Sequence, residues 1–462
     1  MLDRRARSLL VLTEAACHAA SNSRVPRRVG RYDEPFPMLA RVDLRGSLDV
    51  RRALARPPAA ADDVSAAVAA IIAEVRSGGD AAVRALTERF DGFRLEALAV
   101  PRSEMDAALD RLDPALRAAL ELARDQIAAW HEVQAGESIV HTRSGVQIRE
   151  MLVPVDRAGC YVPGGRAPLA SSVLMTALPA RVAGVPHVAL CTPPRADGTV
   201  HDAILAAARL AEVDVVYRVG GAQAIAALAY GTETIESVDV IVGPGNAYVA
   251  EAKSQVASHV GIDGYAGPSE VAVVADDSVT PVLIAADLLA QIEHGPGGSA
   301  ALITWSETLG PEVEAELKVL LDGAPHAADT EAALRAGGRL VIVDGPEQGM
   351  EAANAIAPEH LELMCANAED LVALVRNAGA VFVGADASAV IGDYVAGVNH
   401  VLPTGGTARF ADALRVDDFR KHVHVVSLEP GALRHLAPFV TTLAEAEGLA
   451  AHADAIRRRE SS

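Results

Sequence analysis

Aromatic residues make up only 3% of this 462-residue sequence, which excludes a core built mainly on packed rings and argues against aromatic-rich all-β classes. Cysteine is scarce and scattered: Cys17, Cys160, Cys191 and Cys365 show no CxxC spacing. That excludes a disulfide framework and a thiolate zinc site, and Cys191 (HVALCTPP) and Cys365 (HLELMC) read as small core hydrophobes in strands. No apolar run of about 18 residues is free of charge, so nothing is expected to span a membrane. Basic residues are the minority, with 41 Lys and Arg against 61 Asp and Glu, a net charge of −20 and a pI near 5.1. Phosphate binding over a broad surface needs clustered cations, so nucleic acid is not an expected partner and small-molecule chemistry is favoured. A full GxGxxG is missing as well.

Half of the chain is hydrophobic, much of that alanine, which suits helices packed on sheets, and the length suits about three domains. Residues 1–37 stand apart, with seven Arg against four acids and an apolar run, SLLVL, cut by Glu14. They read as a disordered extension or an upstream start, and Met38 as an ordinary cytoplasmic beginning. From Ala59 to about Gly136, apolar residues recur at three- and four-residue spacing, the mark of helices. Between Ser138 and Val162 the pattern turns β-like, with Ser144-Gly145 as a turn. Then β-branched segments alternate with Ala-rich helical ones: HVALCTPP, DVVYRVGG, VDVIVGPG, EVAVVADD, AALITWS, RLVIVDG and AVFVG. Strands separated by helical stretches imply βαβ units and parallel sheets. The glycine-rich break GIDGYAGPSE at 261–270 divides them into two Rossmann-like α/β units. Past Gly392 comes a glycine-rich loop and then a helical tail, where Leu433, Leu436, Val440 and Leu443 form a stripe that packs at home or on a partner chain.

Three glycine turns sit where strands feed helices: YVPGGRAPLAS, VGGAQAIAALA and GPGNAYVAEAK. In a parallel sheet such turns line the carboxyl-end crevice, and the helix N-termini that follow favour phosphate. Together they permit a dinucleotide without naming it. In LLAQIEHGPGGS, Gln291 and His294 are three apart and so neighbours on a helix face; the pair reads as ligands or as a polar helix end. Glu359 and His360 in APEHLEL are an acid/base pair or equally a solvated strand start. Asp393, His400, Glu447 and His452 complete the polar candidates. Gln291, His294, Asp393 and His452 would make a nitrogen and oxygen set suited to zinc or a similar divalent ion. Glu447 and His452 lie about 140° apart around a regular helix, so they serve different roles or are separated by a break at Gly448.

The segments GCYVPGGRAPLASSVLM, VGGAQAIAALAYGTE, GPGNAYVAEAK, AGPSEV, LLAQIEHGP, APEHL, GDYVAGVNHVLPTGG and EAEGLAAH, in this order, closely resemble the histidinol dehydrogenase family from about Met38 to about residue 457. The resemblance implies a cytoplasmic enzyme that oxidises L-histidinol to L-histidine with two NAD+ through a bound aldehyde, the last step of histidine biosynthesis. It implies Glu359 and His360 as catalytic residues and one Zn2+ per subunit on Gln291, His294, Asp393 and His452, the last donated across a homodimer. Substrate contacts fall on Ser269, Gln291, His294, Glu359, His360, Asp393, His400, Glu447 and His452, and NAD contacts on Tyr161, Gln223 and Asn246. The expected domains are residues 38–160 packing with 270–414 as the unit carrying the metal and catalytic residues, 161–269 as the NAD-binding unit, and 415–462 as a helical arm used in dimerisation. The rival reading is a metal-dependent hydrolase on a related α/β fold, in which the same ligands activate water.

Overall fold

Strand β1 (Ala40–Asp43) is short and mostly exposed. Strands β2 (Val140–Arg143) and β3 (Val146–Pro154) form an antiparallel hairpin through Ser144 and Gly145, both with positive φ. Five parallel strands follow: β4 (Arg157–Tyr161), β5 (His187–Cys191), β6 (Val215–Tyr217), β7 (Val240–Val242) and β8 (Gly261–Ile262). A second parallel set holds β9 (Glu270–Ala275), β10 (Ser299–Thr304), β11 (Gly338–Ile342), β12 (His360–Met364) and β13 (Ala380–Val383). Strand β14 (Arg420–Leu428) returns antiparallel to β3. This computed structural model describes residues 38–54, 64–164, 167–264, 267–293 and 297–460. The expected disordered extension at 1–37, Cys17 and His294 lie outside the described residues. Among the described residues no helix is long and apolar enough to cross a membrane.

The two parallel sheets share one topology. Their orders are β6-β5-β4-β7-β8 and β11-β10-β9-β12-β13, the second extended by β1 beside β11. In each, the first strand is central, the next two step outward on one side and the last two on the other. The chain therefore contains two copies of a doubly wound arrangement, each with a switch point, at β4/β7 and at β9/β12. Alternate residues of each strand feed opposite cores. In the first sheet, Ala158, Cys160 and Val188 face the helices Ala170–Ala183 and Asp202–Leu210, whereas Tyr161, Cys191 and Ile241 face Gly221–Tyr230 and Ala247–Val256. In the second, Val271 and Val273 face Pro281–Ile292, while Ala272 and Val274 face Pro346–Ile356. Strands covered on both faces read as continuous apolar runs, and all seven expected strand segments occupy these sheets.

Three expected boundaries need correction. The helices of 64–134 do not cover the second sheet, although Pro114–Gln134 also meets the loop before 414 at Gly397 and Asn399. Val68, Val75 and Leu86 share a core with Ile225 and Val249, and Met105, Leu120 and Ile127 share one with Val173 and Leu205, so these helices cover the first sheet. Among the described residues of 38–160, only 38–54 joins the second sheet, through β1, Val50 and Leu54. A helix's apolar stripe states that it must be covered, not by what. The boundary at 160/161 also falls inside β4. Finally, the segment from 415 is not wholly helical: β14 pairs with β3 along its whole length, from Arg420↔Pro154 to Leu428↔Val146. The helices Ala432–Ala446 and Ala450–Glu460 follow, broken at Gly448 with φ 74°. That break separates Glu447 from His452, as their angular mismatch requires.

Candidate active site

A cleft of about 560 Å³ opens where the switch point of the first sheet meets the second sheet. One wall comes from the carboxyl ends of β4 and β7, as Pro163 and the loop Pro244-Gly245-Asn246. The other comes from the amino ends of β9 and β12, as Ser269, Glu359 and His360, with Asp393 and His400 alongside. A second, shallower hollow near Arg76 holds no such chemistry: Arg76 lies over the Tyr230 ring and Arg157 is ion-paired with Glu236.

His360 opens β12 and is 3% exposed. Its Nδ1 lies 2.9 Å from Oε1 of Gln291, and an amide oxygen can only accept. In the tautomer that satisfies this contact, Nδ1 carries the proton and donates, and Nε2 holds the lone pair. Nε2 sits 3.7 Å from Oδ1 of Asp393, and Glu359 Oε2 lies 3.8 Å from Nδ1. Glu359 is also buried; its Oε2 accepts from the Glu270 backbone N–H at 2.9 Å, and the Ser269 side chain bonds it too. Burial, with the Asp393 and Glu270 carboxylates adding to it, pushes the Glu359 carboxyl up to about 8. His400 is held at Nδ1 by the Asp393 carbonyl, 3.0 Å away, and at Nε2 by the Ser172 hydroxyl, 3.2 Å away.

The expected dinucleotide contacts divide. Asn246 lines the cleft and caps the helix Ala247–Val256, its Oδ1 accepting from the N–H groups of Tyr248 and Val249 at 3.1 Å each. Tyr161 and Gln223 are buried behind that wall, and the Tyr161 hydroxyl accepts from the Gly221 N–H at 3.1 Å. The loop before Asn246 is fixed from beneath. The Gly243 N–H donates to Asp263 at 2.6 Å, and its carbonyl accepts from Nζ of Lys253 at 3.0 Å. Lys253 and Asp263 form a buried ion pair. Gly243 has φ 118°, and a Cβ there would meet the Tyr161 carbonyl at 2.0 Å, so only glycine fits.

Of the expected metal ligands, Gln291 and Asp393 converge on His360. His452 is exposed on the helix Ala450–Glu460, and neither it nor Glu447 lines the cleft of the same chain. Among the described residues no group of three His, Cys, Asp or Glu could hold an ion alone. The cleft nonetheless favours a cation electrostatically, since Glu359 and Asp393 line it, the Glu270 carboxylate is near, and no described lining residue is Lys or Arg. Cys160 is fully buried with its thiol pushed up to about 12, which suits a packing role. Sequence reasoning missed Ser172 and Tyr394, both on the cleft wall. Ser172 follows the PGGRAPL turn already singled out, so its place at the start of a helix after a glycine turn was the available signal.

Two doubly wound sheets meeting at a cleft with a buried imidazole–carboxylate pair on one wall and a switch-point loop on the other define an α/β enzyme. The sequence model of histidinol dehydrogenase matches residues 54–460. The chain is 49% identical over 401 residues to histidinol dehydrogenase of Rhizobium meliloti (strain 1021), covering 86% of this chain and 92% of that one. It is 44% identical over 399 residues to that of Methanothermobacter thermautotrophicus, covering 86% and 94%. The crystal structure of histidinol dehydrogenase from Elizabethkingia anophelis superposes with a TM-score of 0.89 at 34% identity, covering 93% of this chain and 99% of that one. The chain belongs to the histidinol dehydrogenase family, and is thus an oxidoreductase.

Proposed function

We propose that the cleft carries out the zinc-dependent four-electron oxidation of L-histidinol to L-histidine with two NAD+, through bound L-histidinaldehyde, as the last step of histidine biosynthesis in the cytoplasm. The observation that carries this reading is the orientation of His360: Gln291 fixes its proton on Nδ1 and leaves Nε2 as the base. In the first step the histidinol hydroxyl gives its proton to Nε2 while its carbon gives hydride to NAD+, yielding the aldehyde, NADH and a proton. In the second, Glu359 takes a proton from water as it adds to the aldehyde. The hydrate anion so formed then loses hydride to another NAD+, giving the carboxylic acid, whose proton passes to His360, by then relieved of the first, to leave the carboxylate. A zinc ion on Gln291, His294, Asp393 and His452 of the partner subunit would anchor the substrate's imidazole and amine and, by opposing Asp393, bring Glu359 down to the carboxylate form a base needs.

Ser269, His400 and Glu447 of the partner subunit would surround the substrate, and Asn246 would meet the dinucleotide at the switch point. Tyr161 and Gln223 would shape that wall from behind. Single-turnover assays started from histidinol and from histidinaldehyde test the roles. His360→Asn is expected to slow both by roughly 10²- to 10⁴-fold; unchanged turnover contradicts the base assignment. Glu359→Gln is expected to slow aldehyde oxidation far more than alcohol oxidation, and equal losses rule out water activation by Glu359.

A further inference from the structure

Behind the cleft lies a buried acidic pair that none of the steps above uses. Glu362, in the middle of β12, is fully buried. Its Oε1 accepts from the backbone N–H of Ala389 at 2.8 Å. Its Oε2 is buried without a donor, and the carboxyl of Asp287 is its neighbour. Asp287 in turn accepts from the Ser388 hydroxyl at 2.7 Å. Ser388 caps the helix Ala389–Tyr394, so both acids grip the first turn of that helix.

Each partner in this node sits close to one site residue. Asp287 is one turn before Gln291 on the helix Pro281–Ile292, so the two share a face. Glu362 is two residues from His360 on β12, on the same side of the sheet. The gripped helix carries Asp393 in its last turn and closes on β13 where Gly392 packs against the Phe382 ring, leaving no room for a side chain. Two neighbouring carboxylates would repel in a buried setting, and one proton turns the repulsion into a strong hydrogen bond.

We propose that Asp287 and Glu362 share one proton and act as a positioning clamp that fixes Gln291, His360 and Asp393 relative to one another. Burial raises both carboxyls above the usual range, in keeping with a retained proton. The link to catalysis rests on the proposed roles of those three residues; the clamp itself does not.

The test uses the full chain, metal-free, and reads amide hydrogen exchange over residues 388–395 beside steady-state turnover of the zinc-loaded protein. Glu362→Gln keeps an acceptor for Ala389 and gives Asp287 an amide donor, so exchange matching wild type and turnover within about threefold are expected. Glu362→Leu removes both bonds; exchange about tenfold faster is expected, with kcat lowered at least as much and the KM for NAD+ unchanged. Ser388→Ala, a milder change that leaves the core packed, is expected to speed exchange about fivefold through loss of the cap. Exchange as fast in Glu362→Gln as in Glu362→Leu overturns the shared proton. Unchanged exchange in Ser388→Ala and Glu362→Leu overturns the clamp. The expected exchange pattern in a wild-type protein without histidinol turnover supports the clamp and sinks the proposed function instead.

Discussion

At the scale of single residues, the cleft works by what is withheld from water. His360 and Glu359 are polar groups in a buried setting, and each is kept there by a partner atom of fixed role: the Gln291 amide oxygen can only accept, and the Glu270 N–H can only donate. The same burial, where no partner exists, is a liability. Asp91 ends the helix Val64–Asp91 with Oδ2 buried and unbonded, at the negative end of the helix dipole, and burial pushes its carboxyl up to about 6. Between about pH 4 and pH 6 the unfolded chain releases this proton while the folded chain keeps it, so stability falls as pH rises through that window and is flat above it. Asp91→Asn is therefore expected to stabilise by about 1 kcal/mol at pH 8, after allowing for solvent screening, and by little near pH 4.5. Urea midpoints at the two values check this; an equal or larger gain at low pH contradicts it.

At the scale of elements, the switch-point loop depends on groups it hides. Lys253 and Asp263 hold the carbonyl and N–H of Gly243, and through them the approach to Asn246. Lys253→Met leaves a buried carboxylate unpaired, a loss of about 3–5 kcal/mol. Adding Asp263→Asn is expected to recover part of it, and strictly additive losses in urea unfolding contradict the pairing. Elements also show what a sequence can reveal. EVAVVADD and RLVIVDG are legible because strands covered on both faces are apolar throughout. ARVD in β1 and RKHVHVVSL in β14 escape notice because they are largely exposed, although the latter alternates. APEHLEL offers its Glu-His pair as a candidate, yet Glu362 in the same segment draws no expectation, since nothing local says that both faces of β12 are covered.

At the scale of the whole molecule, the two α/β units were legible but their common strand order was not, because no repeat survives in the residues. Nor could spacing show that the carboxyl end of one sheet meets the amino end of the other, which is what brings Asn246 and His360 to one cleft. The tail raises the remaining question of scale. Glu447 and His452 stand exposed, and Phe439, Val440 and Leu443 leave an apolar strip beside them, with Val426 and Leu428 of β14 also exposed. In the proposed homodimer these residues would serve the neighbouring cleft. Mixing His452→Ala chains with Glu359→Gln chains is then expected to restore about a quarter of wild-type activity, since half of the dimers are hybrids with one intact site each. No recovery in verified hybrids contradicts a shared site.

The central claim is that one cleft performs two successive hydride transfers on a metal-held substrate. Its most direct test is the absorbance at 340 nm when a limiting amount of histidinol is exhausted by zinc-loaded protein in excess NAD+. The account predicts two NADH per histidinol, loss of the signal after chelation and its return with zinc. One NADH per histidinol, no NADH at all, or indifference to the chelator would contradict it.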